Sequence, residues 1–190
     1  GIPKILPVAS DNELDIYNIL NRSTDCDLII TTGGVSVGKY DLIQKALENF
    51  SRNKTEFWKI AMRPGKPLLF SKINKTPLIG LPGNPVSSGV CCLIFVNIAI
   101  RSMLGDTNEF PIFENATLNG ELSQNDQRFD FVRANINYRS GNAYVTPITK
   151  QDSSMITKFS YSDCLITREP FDQIKSDGDI VKIFKFPNNI

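Results

Sequence analysis

The sequence contains no histidine among its 190 residues. This absence excludes the Ser-His-Asp and Cys-His catalytic arrangements and argues against a zinc site of the usual kind. The four cysteines, Cys26, Cys91, Cys92 and Cys164, show no C-x-x-C spacing. We expect them to be small buried side chains in a reducing compartment. Any chemistry must therefore rest on carboxylates, cations, backbone N–H groups and a metal bound through oxygen.

The chain also lacks an excess of charge and a long apolar run. Its formal net charge is +1, which gives no reason to expect nucleic acid or a membrane surface as a partner. No run of 18 apolar residues predicts a membrane span, and no signal peptide is visible. We expect a cytoplasmic protein, in line with the reducing compartment that the cysteines indicate. The chain starts at Gly1 rather than at Met, so we expect a fragment or a processed form.

A glycine-rich stretch organises the first part of the chain. Residues 28–41, LIITTGGVSVGKYD, combine a short apolar or β-branched run with a loop that contains Gly33, Gly34 and Gly38. This pattern predicts a buried strand, a tight loop and the start of a helix. Backbone N–H groups at such a helix start attract anions. The stretch therefore predicts an anion site at the carboxyl edge of an α/β sheet.

The same stretch has a purely structural interpretation. It matches neither the Walker A pattern nor GxGxxG, so an ordinary structural turn fits it equally well. Asp41 and Gln44 have the spacing of a helix-capping pair. An aspartate at a loop mouth can also hold a metal, and the sequence leaves both roles open for Asp41.

Three cations surround the next turn. Residues 57–62, FWKIAM, predict a strand, and residues 63–67, RPGKP, follow as a turn. Lys59, Arg63 and Lys66 would then lie around that turn, where they could neutralise phosphates or another oxyanion. An ordinary turn between two strands is the alternative.

A second strand, loop and helix repeat the geometry of the first. Residues 77–81 form an apolar run, and residues 82–85, PGNP, follow it. Asn84 suits a helix N-cap and Pro85 suits the first helical position, while Gly105 suits the position after the helix end. The helix is apolar nearly all round, which predicts burial in the sheet packing or in an oligomer interface. Two such loops at one sheet edge would face one crevice.

The pattern changes after the second helix. We predict an α/β domain over residues 1–107 and a small all-β domain over residues 108–190, because the tail consists of short β-like runs between turn residues. In that tail, Arg128 and Arg133 bracket an alternating strand and residues 151–154, QDSS, form a polar loop. Solvated strand ends and a plain turn are the simpler interpretations of these residues.

The motifs together resemble one enzyme family. DLIITTGGVSVGKYD, FWKIAMRPGKPLLF and PLIGLPGNPVSS, in this order, resemble the molybdopterin molybdenumtransferases, the family of MoeA and the gephyrin E domain. RFDFVRA, QDSS, SDCLI and GDIVKIF in the tail are similar to the C-terminal β domain of that family. The resemblance covers essentially the whole chain.

The resemblance implies a fold and an activity. The fold would be a three-layer α/β domain of the molybdopterin-binding type, here lacking its first strand and helix, followed by a β-barrel-like domain. The activity would be insertion of molybdate into adenylylated molybdopterin with release of AMP, assisted by Mg²⁺. In the family a homodimer completes the active site with an N-terminal subdomain, so we expect this chain alone to be inactive.

Two other functions remain open. One is a non-catalytic molybdopterin-binding or scaffold module. The other is a molybdopterin adenylyltransferase of the same fold, although that family type has Gly-Gly-Thr-Gly where this chain has Gly33-Gly34-Val35-Ser36.

The resemblance also implies roles for residues at matching positions. The residues implied to bind the pterin and phosphate are Thr32, Gly33, Gly34, Ser36, Pro82, Gly83, Asn84 and Pro85. The residues implied to be catalytic are Asp41, Lys59, Arg63, Lys66, Arg133 and Ser153, with Asp41 also as the metal ligand. The family often has lysine at the position of Arg63.

Overall fold

The computed structural model describes residues 1–34, 42–50, 53–107, 111–149, 151 and 156–187. The α-helices in this part of the chain are α1 (Glu13–Asn21), α2 (Leu42–Glu48), α3 (Pro85–Cys91), α4 (Asn97–Met103) and α5 (Ile156–Ser160). A π-helical turn, Cys92–Val96, joins α3 to α4. The strands are β1 (Ile29–Thr32), β2 (Asn53–Trp58), β3 (Met62–Arg63), β4 (Leu69–Ile73), β5 (Thr76–Leu81), β6 (Glu114–Leu118), β7 (Phe129–Arg139), β8 (Asn142–Pro147), β9 (Cys164–Arg168) and β10 (Ile180–Lys185).

Packing divides the chain into two compact units. The first unit contains Gly1–Ile60 and Gly65–Cys92, and the second contains Ala61–Pro64 and Leu93–Ile190. The domain boundary predicted between residues 107 and 108 stays a prediction.

The first unit contains a mixed sheet with strand order β1-β5-β4-β2. β1 runs parallel to β5, whereas β4 runs antiparallel to both of its neighbours. Within the described residues β1 is an edge strand. Helices α1 and α2 cover one apolar cluster, in which Leu47, Leu69 and Leu78 are almost completely buried. This arrangement confirms the expected α/β class of the first unit.

The strand predicted over residues 57–62 is wrong in its second half. β2 ends at Trp58, and Lys59 has a φ of +66°, a backbone conformation that breaks the alternation of an extended strand. The chain then enters β3, which belongs to the other sheet. Lys59 and Arg63 therefore do not share one strand.

The helical run after β5 is partly buried. It covers Pro85–Met103, 19 residues, and is long and apolar enough to cross a membrane by length and composition alone, a test that core helices also pass. Val86 and Val90 in α3 are completely buried, whereas α4 contributes no buried residue and leaves Met103 47% exposed. Packing against the sheet therefore explains the apolar side chains of α3, but it does not explain those of α4.

The second unit is a closed β-sheet. Strands β7, β8, β6, β10 and β9 pair in this order, and an additional β7–β9 pairing closes the ring. The two-residue strand β3 runs parallel to the start of β7. The barrel interior is apolar, with Val145, Ile166 and Ile183 completely buried. The predicted short β-like runs and the barrel-like fold are confirmed.

Two isoleucines on barrel strands test how the interior stabilises the second unit. Ile166 is completely buried, whereas Ile180 is 61% exposed. We expect Ile166→Ala to lower the free energy of unfolding by about 2–5 kcal/mol, because it removes buried methyl groups and leaves a cavity. Ile180→Ala should change it by less than about 1 kcal/mol. Urea denaturation followed by circular dichroism measures both, and equal losses would contradict this core.

Candidate functional site

The two predicted strand–loop motifs lie side by side. β1 and β5 are parallel neighbours, with Thr32 opposite Leu81 at their carboxyl ends. The backbone N–H of Gly33 donates to the carbonyl oxygen of Leu81 at 3.2 Å. Both loops therefore begin at one edge of the sheet, as the sequence predicted.

The two loops approach each other closely, and the first loop requires glycine. A Cβ on Gly83 would lie at van der Waals contact distance, 3.4 Å, from Cα of Gly33. Gly33 and Gly34 have φ values of +81° and +69°, which strain other residues, and a Cβ on Gly34 would lie 3.0 Å from Cδ1 of Ile43. The loops thus bring together backbone segments that have no side chains, and a ligand can approach that backbone closely.

The second loop is held by its helix cap and by the first strand. Asn84 is the N-cap of α3, where its Oδ1 accepts from the N–H of Ser87 at 3.0 Å, and Pro85 opens the helix. The hydroxyl of Thr32 donates to the carbonyl oxygen of Pro82 at 3.3 Å. Thr32 and the PGNP loop are therefore joined directly, and the helix that follows presents its positive dipole end.

A cavity of about 590 Å³ adjoins the first loop. It lies between residues 4–11 and residues 28–34, and its lining is mainly apolar. The hydroxyl of Thr31 lines it and is buried with no hydrogen-bond partner in the described part of the chain. The space beside β1 is therefore lined mostly by apolar groups, and Thr31 adds a buried polar group.

Lys59 and Lys66 come together on one turn of the first unit. The N–H of Lys59 donates to Leu68 at 3.1 Å, and the N–H of Ile60 donates to the carbonyl oxygen of Lys66 at 2.9 Å. Both lysine residues are exposed. Hydrogen bonds therefore fix the backbone of this turn at both lysines.

Arg63 belongs to the second unit and meets carboxylates there. It forms salt bridges with Asp126 at 3.3 Å and with Asp130. These contacts raise the pKa of Arg63, with the Asp130 hydrogen bond as the main cause. The prediction that Arg63 is catalytic stays a prediction, and its carboxylate partners were not found from the sequence.

Arg133 is a buried side chain, not a solvated strand end. It is 1% exposed, and its Nε and backbone N–H both donate to Oε1 of Gln151, at 3.3 and 3.0 Å. The amide of Gln151 returns a bond to the carbonyl oxygen of Arg133 at 2.9 Å. The structure thereby joins Arg133 to the first residue of the QDSS loop.

Three predicted site residues, Ser36, Asp41 and Ser153, lie outside the described residues. The described residues contain no group of three or more carboxylate or cysteine side chains that could hold a metal. The metal expectation therefore rests on Asp41 alone.

Two of the four cysteines are poor nucleophiles. Burial raises the pKa of Cys91 and of Cys164 to about 12, so both thiols stay protonated at neutral pH. Both are buried as expected, whereas Cys26 is half-buried and Cys92 is exposed.

Comparison with known proteins places this geometry in a family. Residues 3–102 match the family model described as "Probable molybdopterin binding domain". The chain belongs to this molybdopterin-binding family. Residues 115–186 match a second family, described as "MoeA C-terminal region (domain IV)". The resemblance of the motifs is thereby confirmed.

Relatives of the chain carry consistent names. It is 34% identical over 185 residues to a molybdopterin molybdenumtransferase of Haemophilus influenzae, covering 95% of this chain and 45% of that protein. It is 33% identical over 138 residues to molybdopterin molybdenumtransferase 2 of Mycobacterium tuberculosis, covering 70% and 34%. The chain thus spans less than half the length of these relatives.

A solved structure supports the fold. The molybdopterin biosynthesis MoeA protein from Pyrococcus horikosii matches with a TM-score of 0.75 and 22% identity, covering 95% of this chain and 42% of that one. The molybdopterin-binding fold followed by a β-barrel-like unit is confirmed.

Gly34→Ala tests the close approach in the first loop. We expect a loss of about 2–4 kcal/mol in the free energy of unfolding, from the left-handed backbone and from the contact with Ile43. Gly141→Ala is the matched control, because Gly141 has a φ of +82° and open space around it. Urea denaturation should show the larger loss for Gly34→Ala; equal losses would rule out the Ile43 contact.

The lowered pKa of Asp126 predicts that the fold loses stability at low pH. Hydrogen bonds from Arg128, assisted by Arg63, lower the pKa of Asp126 to about 2, below the unfolded value of about 3.9. The ionised form therefore stabilises the fold above about pH 4, and this contribution is lost as the pH falls through 2. Denaturation at pH 6 and pH 2 should show a smaller pH effect for Asp126→Asn than for the unaltered chain. Identical pH effects would contradict the assignment.

Proposed function

We propose that the protein inserts molybdate into adenylylated molybdopterin and releases AMP, with this chain as part of the enzyme. The observation that supports the proposal most is the contact between the two glycine loops at the carboxyl edge of β1 and β5. That edge is where ligands bind in open α/β sheets, and the relatives are named molybdopterin molybdenumtransferases.

The crevice suits anionic substrates. Adenylylated molybdopterin carries a phosphoanhydride, and molybdate is itself an oxyanion, so the two repel each other. The backbone N–H group of Gly34 and the N-terminal end of the α3 helical run supply partial positive charge. Lys59 and Lys66 add full charges on a fixed turn. We infer that these groups hold both anions together and stabilise charge on the departing AMP.

The remaining predicted residues keep their proposed roles. Thr32 and the segment Pro82–Pro85 form the facing walls of the crevice. Arg133 and Ser153 stay proposed catalytic residues, and Gln151 holds Arg133 in place.

Three further properties are proposals that rest on the family resemblance. Mg²⁺ would be held by Asp41 together with phosphate oxygens, a donor set that this ion accepts. The complete protein would form a homodimer and would lie in the cytoplasm. Size-exclusion chromatography with light scattering tests the dimer.

Lys66→Ala tests the proposed anion role. In the complete native polypeptide we expect it to lower kcat/KM for molybdate-dependent AMP release at least tenfold, about 1.4 kcal/mol of lost transition-state stabilisation. Lys75→Ala is the matched control, since Lys75 is an exposed lysine on the β4–β5 turn of the same unit. We expect the control to keep full activity.

Other outcomes distinguish the alternatives. Unchanged AMP release in Lys66→Ala would remove the lysine from the site. Tight molybdopterin binding without AMP release in the unaltered protein would favour a scaffold module. Consumption of ATP to adenylylate molybdopterin would favour an adenylyltransferase.

A further inference from the structure

Strand β2 ends at the same edge of the sheet as the two glycine loops. β4 runs antiparallel to both β2 and β5, and β5 runs parallel to β1. The strands β1, β5 and β2 therefore point the same way, and their carboxyl ends share one edge of the first unit. The turn that carries Lys59 and Lys66 starts at that edge, because Lys59 directly follows β2.

An aromatic pair lies just inside this edge. Phe57 on β2 is opposite Phe70 on β4, and the two rings stack with centroids 5.6 Å apart and an interplanar angle of 30°. Phe57 is 39% exposed, and Phe70 behind it is half-buried. We call this pair the aromatic platform, since it leaves part of a ring surface uncovered within the first unit.

A bulge in β2 creates the aromatic platform. Thr55 is opposite Ser71 and Phe57 is opposite Phe70, so β2 has one residue more than β4 at this point, namely Glu56. Without the bulge, the pairing would set Glu56 opposite Phe70. Bulges redirect side chains in this way. Here the bulge places an aromatic ring, instead of a carboxylate, beside Phe70.

The aromatic platform shares a face of the sheet with Thr32. Leu69 and Ile29 belong to the apolar cluster that α1 and α2 cover. Side chains alternate between the two faces along a strand. Phe70, the residue after Leu69, therefore lies on the opposite face, and so does Thr32, which is three positions after Ile29. The platform and the glycine loops are thus on one face and at one edge.

The spacing of these groups suits a nucleotide. Lys59 follows Phe57 by two residues, which places their Cα atoms about 7 Å apart, a separation that the ribose of a nucleotide spans. β1 and β2 are three strand spacings apart, about 14 Å. Adenylylated molybdopterin is an elongated molecule, with its phosphates between the pterin and the adenine, and can extend along such an edge.

We propose that Phe57, supported by Phe70, stacks against the adenine of adenylylated molybdopterin and of the departing AMP. Aromatic side chains hold bases in this way because every base has a π-face, and lysines beside them contact phosphate. The proposal deepens the proposed function and rests on it, since the phosphates lie at Lys59 and Lys66. Phe57 is then a specificity-determining residue that favours the adenylylated substrate over molybdopterin itself.

AMP and ribose 5-phosphate test the aromatic platform, because both carry the phosphate and only AMP carries a base. In the complete native polypeptide, we expect Phe57→Ala to raise the Kd for AMP at least about fivefold, the loss of one stacked base. The Kd for ribose 5-phosphate should change less than about twofold. Phe57→Trp should retain AMP binding, because indole also offers a stacking face. Isothermal titration calorimetry measures each Kd.

Phe113→Ala is the matched control. Phe113 is 42% exposed, close to the exposure of Phe57, and lies in the second unit just before β6. We expect this variant to leave the Kd for AMP unchanged. A loss of AMP affinity equal to that in Phe57→Ala would show that the effect does not come from the aromatic platform, and it would overturn the proposal.

Lys66→Ala separates this proposal from the proposed function. It should weaken AMP and ribose 5-phosphate alike, because it removes a phosphate contact. If Lys66→Ala changes neither Kd while Phe57→Ala weakens AMP alone, the aromatic platform stands and the proposed anion role of Lys66 fails. If Lys66→Ala weakens both ligands while Phe57→Ala changes neither, the platform alone is wrong.

Two further results would overturn the proposal. Equal losses of AMP and ribose 5-phosphate affinity in Phe57→Ala would indicate a merely structural role for this side chain. An unaltered protein that binds AMP no more tightly than ribose 5-phosphate would have no contact with the base.

Discussion

The candidate site depends on the parallel pairing of β1 with β5. These strands are far apart in the sequence, yet the pairing sets Thr32 opposite Leu81 and brings the two loops that follow into contact. The approach is close, because a Cβ on Gly83 would already be in van der Waals contact with Cα of Gly33. A different register would separate the loops and disperse the N–H groups that favour an anion. Sheet pairing, not any single residue, therefore creates the crevice.

Charge is distributed differently in the two units. In the first unit, Lys59 and Lys66 are exposed on a turn whose backbone is fixed by hydrogen bonds. In the second unit, Arg63 is compensated by Asp126 and Asp130. The cations that the sequence grouped around one turn thus have two different environments.

Much of the local structure was predictable because its causes are local. Asn84 and Pro85 predict the start of a helix, because a side-chain cap and the fixed φ of proline both act within one turn. The barrel strands were predictable from short alternating runs between turn residues. The strand prediction was wrong beyond Trp58 because Lys59 has a positive φ. That backbone conformation depends on how the chain passes from one sheet to the other, which no local pattern encodes. The burial of Arg133 was missed for a similar reason, since its partner Gln151 lies 18 positions away.

The sequence by itself determined the kind of protein. Its glycine loops, helix caps and turn residues act over a few positions. An α/β unit with an anion site could therefore be predicted from these local patterns, together with the order of the three motifs and the absence of histidine. Only the tertiary structure decided which charges are available there. Arg63 meets Asp130 across 67 positions, and such a contact follows from strand pairing and packing over the whole fold. The role of a charged side chain depends on these distant neighbours, because they set its hydrogen bonds and its exposure to solvent.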